Sequence, residues 1–389
     1  MTEPCVAVAA GRRDSGLDLA RGLASLIMIH GHALDAWVST TGKQQAAYAV
    51  SRFFATLPLP AFLVLSGVAL HFRLQVAERR REAAGAMRRT LARRGLQLLA
   101  VGYGTSAVSA WLDGVDSWAT LWRADVLHVI GLSIIVISQC IPDAEGPMDL
   151  TRVRARVVTV ALLSVALFVP LSRWAVAEAA RWPAPLQATV GLVTDVPGIT
   201  RMPLCPLFTW VVAGLLVAGC CSQLRQSGPT GGAAGMNARP GFWQAYPYAN
   251  HLAIAALAIV VAGLANRGTY AWLGEGVLTR QHPAALLNVL DYGARGVALF
   301  ALAPLLLSLL PTVAREHLAL LGRASLWAYV FHIPFCYGRL GAPLQARLSV
   351  WQALPAMVAL MALSYGVVWL RLNCWPHCSR VLVRLSPGR

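Results

Sequence analysis

The chain has 389 residues, of which 57% are hydrophobic and 13% charged, and its mean hydropathy is +0.57. Soluble domains carry about 25% charged residues, so this composition excludes a water-soluble enzyme and a disordered tail. The formal net charge of +16 comes from Lys and Arg scattered between apolar segments, a distribution that fits membrane orientation better than nucleic-acid binding.

Apolar segments of about 20 residues, the length that crosses a bilayer as a helix, recur along the chain. We therefore predict an all-α polytopic membrane protein with about ten transmembrane helices in one bundle. The predicted spans are 17–38, 51–73, 96–113, 125–142, 156–173, 203–222, 250–267, 286–310, 317–338 and 350–371. The predicted domains are a cytoplasmic N-terminal segment (1–16), a transmembrane domain (17–372) and a basic cytoplasmic tail (373–389).

The first predicted span is too polar for a cleaved signal peptide and lacks a small-residue cleavage site, so we expect it to stay in the mature protein. With the N-terminus inside, the inner segments hold about twice as many Lys and Arg as the outer segments. We therefore place both termini in the cytoplasm and the protein in the cell inner (plasma) membrane. The tail motif Cys374-Trp-Pro-His377-Cys378 lacks the usual ligand spacing, so we predict no metal site.

The first predicted span carries a polar stripe. At about 100° per residue, one face of the helix holds Asp18, Arg21, Ser25, His32 and Asp35, whereas His30 faces away. Each ionisable side chain inside a bilayer costs about 2.5–3.5 kcal/mol on insertion scales, so we interpret the stripe as functional. The structural alternative is a set of hydrogen bonds that hold helices together.

Three later spans carry polar residues of the same kinds. They are Asp125 and His128 in the fourth span, Asp291 and Arg295 in the eighth, and Arg323, Ser325, Tyr329 and His332 in the ninth. Asp291 and Arg295 are expected to form an i,i+4 ion pair. For each of these residues taken alone, a structural role remains an alternative to a functional one.

The predicted topology places the polar residues at two depths. Those expected toward the outer side are His32, His128, Asp291 and His332. Arg21 and Arg323 are expected toward the cytoplasm. We interpret His71 and His317, at the cytoplasmic ends of their spans, as interfacial residues.

Five strings of the sequence resemble one family in the same order. The string Leu17-Asp18-Leu-Ala-Arg21-Gly22-Leu-Ala-Ser-Leu-Ile-Met28-Ile-His-Gly31-His32 resembles the first helix of the heparan-alpha-glucosaminide N-acetyltransferase catalytic-domain family, a branch of the transmembrane acyltransferases. The later strings are Pro60-Ala-Phe62-Leu-Val-Leu-Ser66-Gly67, Asp125-Val-Leu-His128-Val-Ile-Gly131-Leu, Pro206-Leu-Phe-Thr-Trp210 and Leu321-Gly322-Arg323-Ala-Ser325-Leu-Trp-Ala-Tyr329 with His332. The spacing of Arg21 and His32 is also similar to that of the acyltransferase-3 relatives.

One position departs from the family pattern. Gly31 stands where bacterial relatives often have an Asp before the His, so a carboxylate that would orient His32 is missing. Asp35, one turn further on, is the expected substitute.

The resemblance implies transfer of an acyl group, in the simplest case acetyl, from cytosolic acyl-CoA to a hydroxyl or amine of an extracytoplasmic acceptor, commonly a sugar. The donor substrate is then acetyl-CoA or another acyl-CoA, and no metal is implied. The expected partners are acyl-CoA, a glycan or other acceptor and the lipid bilayer, without nucleic acid, and a homo-oligomer is left open.

The residue types fit this chemistry. Histidine supplies a base near neutral pH, and arginine binds phosphates bidentately. The candidate catalytic residues are His32 as the base, Asp35 as its orienting carboxylate, and His128 or His332 to polarise the thioester or hold the acceptor. The candidate acyl-CoA-binding residues are Arg21, its resting partner Asp18, Arg323 and Ser325.

Two other interpretations remain open. In a proton-coupled secondary transporter the same Asp, His and Arg residues would relay protons, although the sequence has no internal repeat of the kind such transporters show. A non-catalytic member of the same fold would keep the helices without the activity.

Overall fold

A computed structural model describes residues 15–113, 121–122, 124–142, 146–226, 248–273 and 282–374. In these residues the regular elements are helices, accompanied by isolated β-bridges between loops. The α-helices are α1 (Ser15–Trp37), α2 (Ala46–Ala55), α3 (Pro58–Arg79), α4 (Ala84–Asp113), α5 (Val126–Cys140), α6 (Leu150–Glu178), α7 (Ala184–Gly191), α8 (Leu204–Gln226), α9 (Tyr248–Leu273), α10 (Ala285–Ser308), α11 (Thr312–Arg323), α12 (Ser325–Cys336) and α13 (Val350–Asn373).

The protein is an all-helical, multi-pass membrane protein. Five segments of the described chain are long and apolar enough to cross a membrane: Ala46–Arg79, Leu150–Arg181, His251–Ala271, Ala285–Leu306 and Val350–Asn373. The pair α11 and α12 adds a sixth if a bent pair counts as one span. Ten spans are therefore not confirmed, although each of the ten predicted segments coincides with a helix or a helix pair.

Helix α1 lies inside the bundle, which explains how its polar stripe is tolerated. It packs against α2, α3, α10, α11, α12 and α13, so protein rather than lipid surrounds it. Its contact with α11 is especially close. A Cβ on Gly22 would meet the Leu318 carbonyl group, and a Cβ on Gly322 would meet the Asp18 carbonyl group. Only glycine at these two positions lets the two backbones approach this far.

The prediction of one continuous ninth helix over 317–338 was wrong. Helix α11 ends at Arg323, α12 begins at Ser325, and the two axes differ by 80°. Ala324 between them has φ −125° and ψ 35°, outside the helical region. The bend lets α11 lie along the first turns of α1 while α12 turns His332 toward the other end of α1.

Two predicted structural roles have clear outcomes. Asp291 and Arg295 form the expected i,i+4 ion pair, with an Nη2 to Oδ2 distance of 2.6 Å. The side chain of His71 is completely buried in the bundle, so it does not contact lipid headgroups. His317 is exposed and hydrogen bonds to Tyr365, as an interfacial side chain can.

Candidate functional site

Two histidines that lie 300 positions apart in the sequence meet in the bundle. His32 on α1 and His332 on α12 form a hydrogen bond between Nδ1 of His32 and Nε2 of His332, 2.8 Å long. Their rings are stacked, with centroids 5.1 Å apart. The sequence placed both residues at one end of the bundle, and the structure brings them into direct contact.

The partners of this pair define which nitrogen carries each proton. Nδ1 of His332 lies 2.8 Å from the carbonyl oxygen of Ala328, which can only accept, so Nδ1 donates. In a neutral His332 ring, Nε2 then accepts the hydrogen bond from Nδ1–H of His32. This leaves Nε2 of a neutral His32 as its basic nitrogen. The pair therefore presents one proton acceptor in a fixed orientation.

Tyr329 and Asp125 continue the site beside His332. The hydroxyl of Tyr329 donates to the Asp125 carboxylate, and the rings of Tyr329 and His332 have centroids 5.9 Å apart. The same carboxylate accepts from the backbone N–H of Val126 and so caps the N-terminus of α5. Asp125 thus has a structural role as well as a contact with the site.

His128 completes the capping box of α5. Its Nδ1 accepts the backbone N–H of Asp125 at 3.1 Å, so a neutral His128 carries its proton on Nε2. That Nε2 is buried and has no hydrogen-bond partner among the described residues. The ring lies against Gly102 and Tyr103 of α4, with a centroid distance of 4.3 Å to the tyrosine. A buried donor without an acceptor is uncommon in folded proteins.

Asp35 does not hydrogen bond to His32, although the sequence suggested it as the carboxylate that orients this histidine. Its carboxylate accepts from the hydroxyls of Tyr48, at 3.1 Å, and Tyr337, at 3.3 Å. It also lies 3.7 Å from Nζ of Lys43 and 3.5 Å from Nη1 of Arg52. Nδ1 of His32 instead bonds to His332, and Asp35 reaches the His32 ring through Tyr337, which packs edge-on against it.

His30 lies on the opposite face of α1 from His32, as the helical periodicity predicted. Nε2 of His30 lies 3.2 Å from Oγ of Ser51 on α2, away from His332. The two histidines of α1 therefore have separate surroundings.

The candidate acyl-CoA-binding residues lie at the other end of α1. Asp18 is buried, Arg21 is half-buried and Arg323 is exposed. The close contact of Gly22 and Gly322 places Arg21 and Arg323 at the same end of the bundle. Arg21 and His32 are eleven positions apart, which is about 16 Å along a helix. Ser325 lies beyond the bend, at the start of α12, and is half-buried.

Arg201 is a member of the site that the sequence did not single out. The β-bridge between Ala124 and Thr200 places Arg201 alongside Asp125, and its positive charge acts on both His32 and Tyr329. In the sequence it is one more basic residue in a predicted outer loop. Only the pairing of two loops distant in the chain reveals its position.

A cavity of about 340 Å³ adjoins the site. Leu59 and Met202 line it and also pack against the apolar cluster that contains Tyr329. Arg201, whose charge acts on His32 and Tyr329, lines it as well. The ring of Trp210 is held in the lining by a hydrogen bond from its Nε1 to the Val289 carbonyl oxygen, 2.8 Å long. The further lining residues are Phe168, Pro203, Pro206, Leu207, Ala285, Asn288 and Tyr292.

Within the described ranges, no group of three His, Cys, Asp or Glu side chains is placed to hold a metal ion.

A family model described as "Heparan-alpha-glucosaminide N-acetyltransferase, catalytic" matches residues 13–239. The match includes His32, Asp35, Asp125 and His128 and ends before His332. A search of the curated proteins gives no match.

Proposed function

The chain belongs to the heparan-alpha-glucosaminide N-acetyltransferase catalytic family, and we propose that it transfers an acyl group, in the simplest case acetyl, from cytosolic acyl-CoA to an extracytoplasmic acceptor. The acceptor supplies a hydroxyl or amine and is most simply a sugar. The observation that carries this proposal is the His32 and His332 pair, which leaves one basic nitrogen in a fixed orientation.

His32 acts as the general base in the proposed reaction. The acceptor O–H or N–H gives its proton to Nε2 of His32 as its oxygen or nitrogen attacks the thioester carbonyl carbon. The new C–O or C–N bond forms, the C–S bond breaks, and the proton passes to the leaving CoA sulfur. His332 holds the His32 ring in the required tautomer, as an orienting partner does in other base-catalysed acyl transfers.

His128 is proposed to polarise the thioester. Its buried Nε2–H has no partner in the described part of the chain, and a carbonyl oxygen that becomes negative during attack would supply one. His128 lies on α5 beside Asp125, which bonds Tyr329 next to His332. This arrangement supports a mechanism in which His128, as hydrogen-bond donor, and His32, as base, act on the same thioester.

The donor is proposed to enter at the end of α1 that carries Asp18, Arg21, Arg323 and Ser325. Guanidinium groups suit the phosphates of CoA, and the thioester would extend along the polar face of α1 toward His32. The distance of about 16 Å between Arg21 and His32 then separates phosphate binding from chemistry.

The cavity beside Tyr329 is the proposed acceptor site. Its volume of about 340 Å³ lies at the lower end of the range for small-molecule pockets. The rings of Phe168, Trp210 and Tyr292 offer flat faces to a sugar ring, and Arg201 with Asn288 offers hydrogen-bond donors.

The proposed arrangement in the membrane has ten spans, both termini in the cytoplasm and the inner membrane as location. Helices α1, α4, α5 and α8 then cross the membrane in addition to the segments that qualify by composition. The Lys and Arg distribution supports this topology.

Purified full-length protein in nanodiscs, supplied with acetyl-CoA and a panel of sugars and amino sugars, tests the proposal. We expect CoA release that depends on one class of acceptor, with the acetyl group found on that acceptor by mass spectrometry. Proton-coupled uptake of a solute into proteoliposomes without acyl transfer would instead support a transporter. Acetyl-CoA binding without transfer to any acceptor class would support a non-catalytic member of the fold.

A further inference from the structure

A buried histidine and an arginine meet at the opposite end of the bundle from the histidine pair. His71 on α3 is completely buried, and its Nδ1 lies 3.1 Å from Nη2 of Arg154, in the second turn of α6. Guanidinium groups only donate, so Nδ1 of His71 accepts, and His71 is the neutral partner. The contact therefore gives Arg154 a hydrogen bond and no neutralising charge.

The backbone of α8 makes room for this arginine. A Cβ on Gly219 would lie 2.9 Å from Nη2 and 3.1 Å from Cζ of Arg154. The guanidinium thus lies against a glycine, in a space that any larger residue would fill. Helices α3, α6 and α8 contribute His71, Arg154 and Gly219 respectively. We call these three residues the Arg154 site.

Three carboxylates in the described segments around the C-terminal end of α3 and the start of α6 are engaged elsewhere. Glu78 accepts the backbone N–H of Leu150 at 2.9 Å, and Asp149 pairs with Arg152 at 3.0 Å. Glu82 pairs with Arg73 at 2.8 Å, and these hydrogen bonds lower the pKa of Glu82.

Among the described residues, no carboxylate compensates the charge of Arg154. None of their ion pairs includes it, and its buried Nε has no hydrogen-bond partner within them. A second cation, Arg79, also acts on His71. A partly buried cation of this kind is costly unless an anion is bound.

We propose that the Arg154 site binds a phosphate group at this end of the bundle. A phosphate oxygen accepts in the plane of the guanidinium, and the N–H groups of Arg154 that His71 does not use are the proposed donors. The phosphate belongs either to an acidic phospholipid headgroup or to CoA. Only the second source rests on the proposed function.

Thermal unfolding of the full-length protein in dodecyl maltoside tests the site. Inorganic phosphate replaces chloride at constant ionic strength, and the unfolding midpoint is followed as the phosphate concentration rises. We expect a saturable rise for the wild type. Arg154→Gln should require on the order of tenfold more phosphate, because a charge-assisted contact is lost.

The matched control is Arg152→Gln, two residues away, exposed and paired with Asp149. It should respond to phosphate as the wild type does. Arg154→Lys keeps the charge without the planar fork and should weaken phosphate binding even if Arg154→Gln fails to fold. No phosphate-specific rise in the wild type overturns the proposal, and so does an equal response of the variants at 152 and 154 or a wild-type response of Arg154→Lys.

A second comparison identifies the source of the phosphate. Dihexanoyl phosphatidylglycerol and CoA are titrated separately into the wild type and Arg154→Gln, and the ligand whose binding weakens in the variant is the source. If the variant weakens neither, the site holds an adventitious ion only and the proposal is overturned. A lipid or phosphate effect would stand even if acyl transfer were not found, so the two proposals fail independently.

Discussion

The proposed role of His32 as a base depends on its hydrogen bond to His332 on another helix. The Ala328 carbonyl oxygen orients His332, and His332 orients His32. His332→Ala should therefore lower kcat roughly 100-fold, the scale of general base catalysis, with the KM for acetyl-CoA little changed. His332→Gln offers an amide oxygen to Nδ1–H of His32 and should recover a large part of the lost rate.

The control for this prediction is His317→Gln, at an exposed histidine that bonds Tyr365 instead. It should keep wild-type rates. Equal losses for His332→Ala and His332→Gln would show that His332 fills space rather than orients the base.

A second prediction separates two roles of Asp125. Asp125→Ala removes the N-cap of α5 and should lower the free energy of unfolding by about 1 kcal/mol. Tyr329→Phe removes only the hydroxyl that donates to this carboxylate, so α5 stays capped. The melting temperature of the Tyr329→Phe protein should therefore stay near that of the wild type. Parallel thermal melts measure both, and a Tyr329→Phe protein as unstable as Asp125→Ala contradicts the assignment.

Helix phase alone separated His32 from His30, because the periodicity of a buried helix fixes which side chains share a face. The sequence could not show that His332 is the partner of His32, since that contact depends on how α12 turns. Arg201 was missed for a related reason: the bridge between Ala124 and Thr200 joins loops distant in the chain.

Among the helix contacts, the crossing of α1 and α11 should be sensitive to added volume. Gly22→Ala would push a methyl group into the Leu318 carbonyl group, and we expect it to destabilise the protein by about 1–3 kcal/mol, as overpacking does. Gly366→Ala on α13 is the matched control, because nothing lies within 4 Å of the added Cβ.

Thermal unfolding midpoints in one detergent compare the two variants. We expect a clear decrease for Gly22→Ala and no decrease for Gly366→Ala. A Gly22→Ala protein as stable as the wild type would mean that α1 and α11 separate easily and that Arg21 and Arg323 need not act together.

The apolar segments predicted where the helices lie, because a helix that crosses a bilayer needs a long apolar stretch. They did not predict the break at Ala324. Alanine favours a helix, and the turn there arises from packing of Gly322 on α1 and from the direction that α12 takes to reach His32. The helix propensity of single residues does not depend on such contacts between helices, so it cannot predict the break.

For the whole molecule, we predict that both termini are cytoplasmic. The Lys and Arg distribution favours this topology, which would place the histidine pair and the Arg154 site on opposite sides. Reporter fusions at residue 389 and at Lys43 measure the two sides. The fusion at 389 should report the cytoplasm and the fusion at Lys43 the periplasm, and the reverse pattern would overturn every assignment of sides made above.

The acetyl-transfer rates of His32→Ala and His30→Ala, measured on equal amounts of folded, monodisperse protein, test whether His32 is the base. His32 offers Nε2 to the acceptor, whereas His30 lies on the opposite face against Ser51. We expect His32→Ala to lower kcat by at least about 100-fold and His30→Ala to stay within about threefold of the wild type. Equal losses, or a loss in His30→Ala alone, would contradict the claim that His32 is the base.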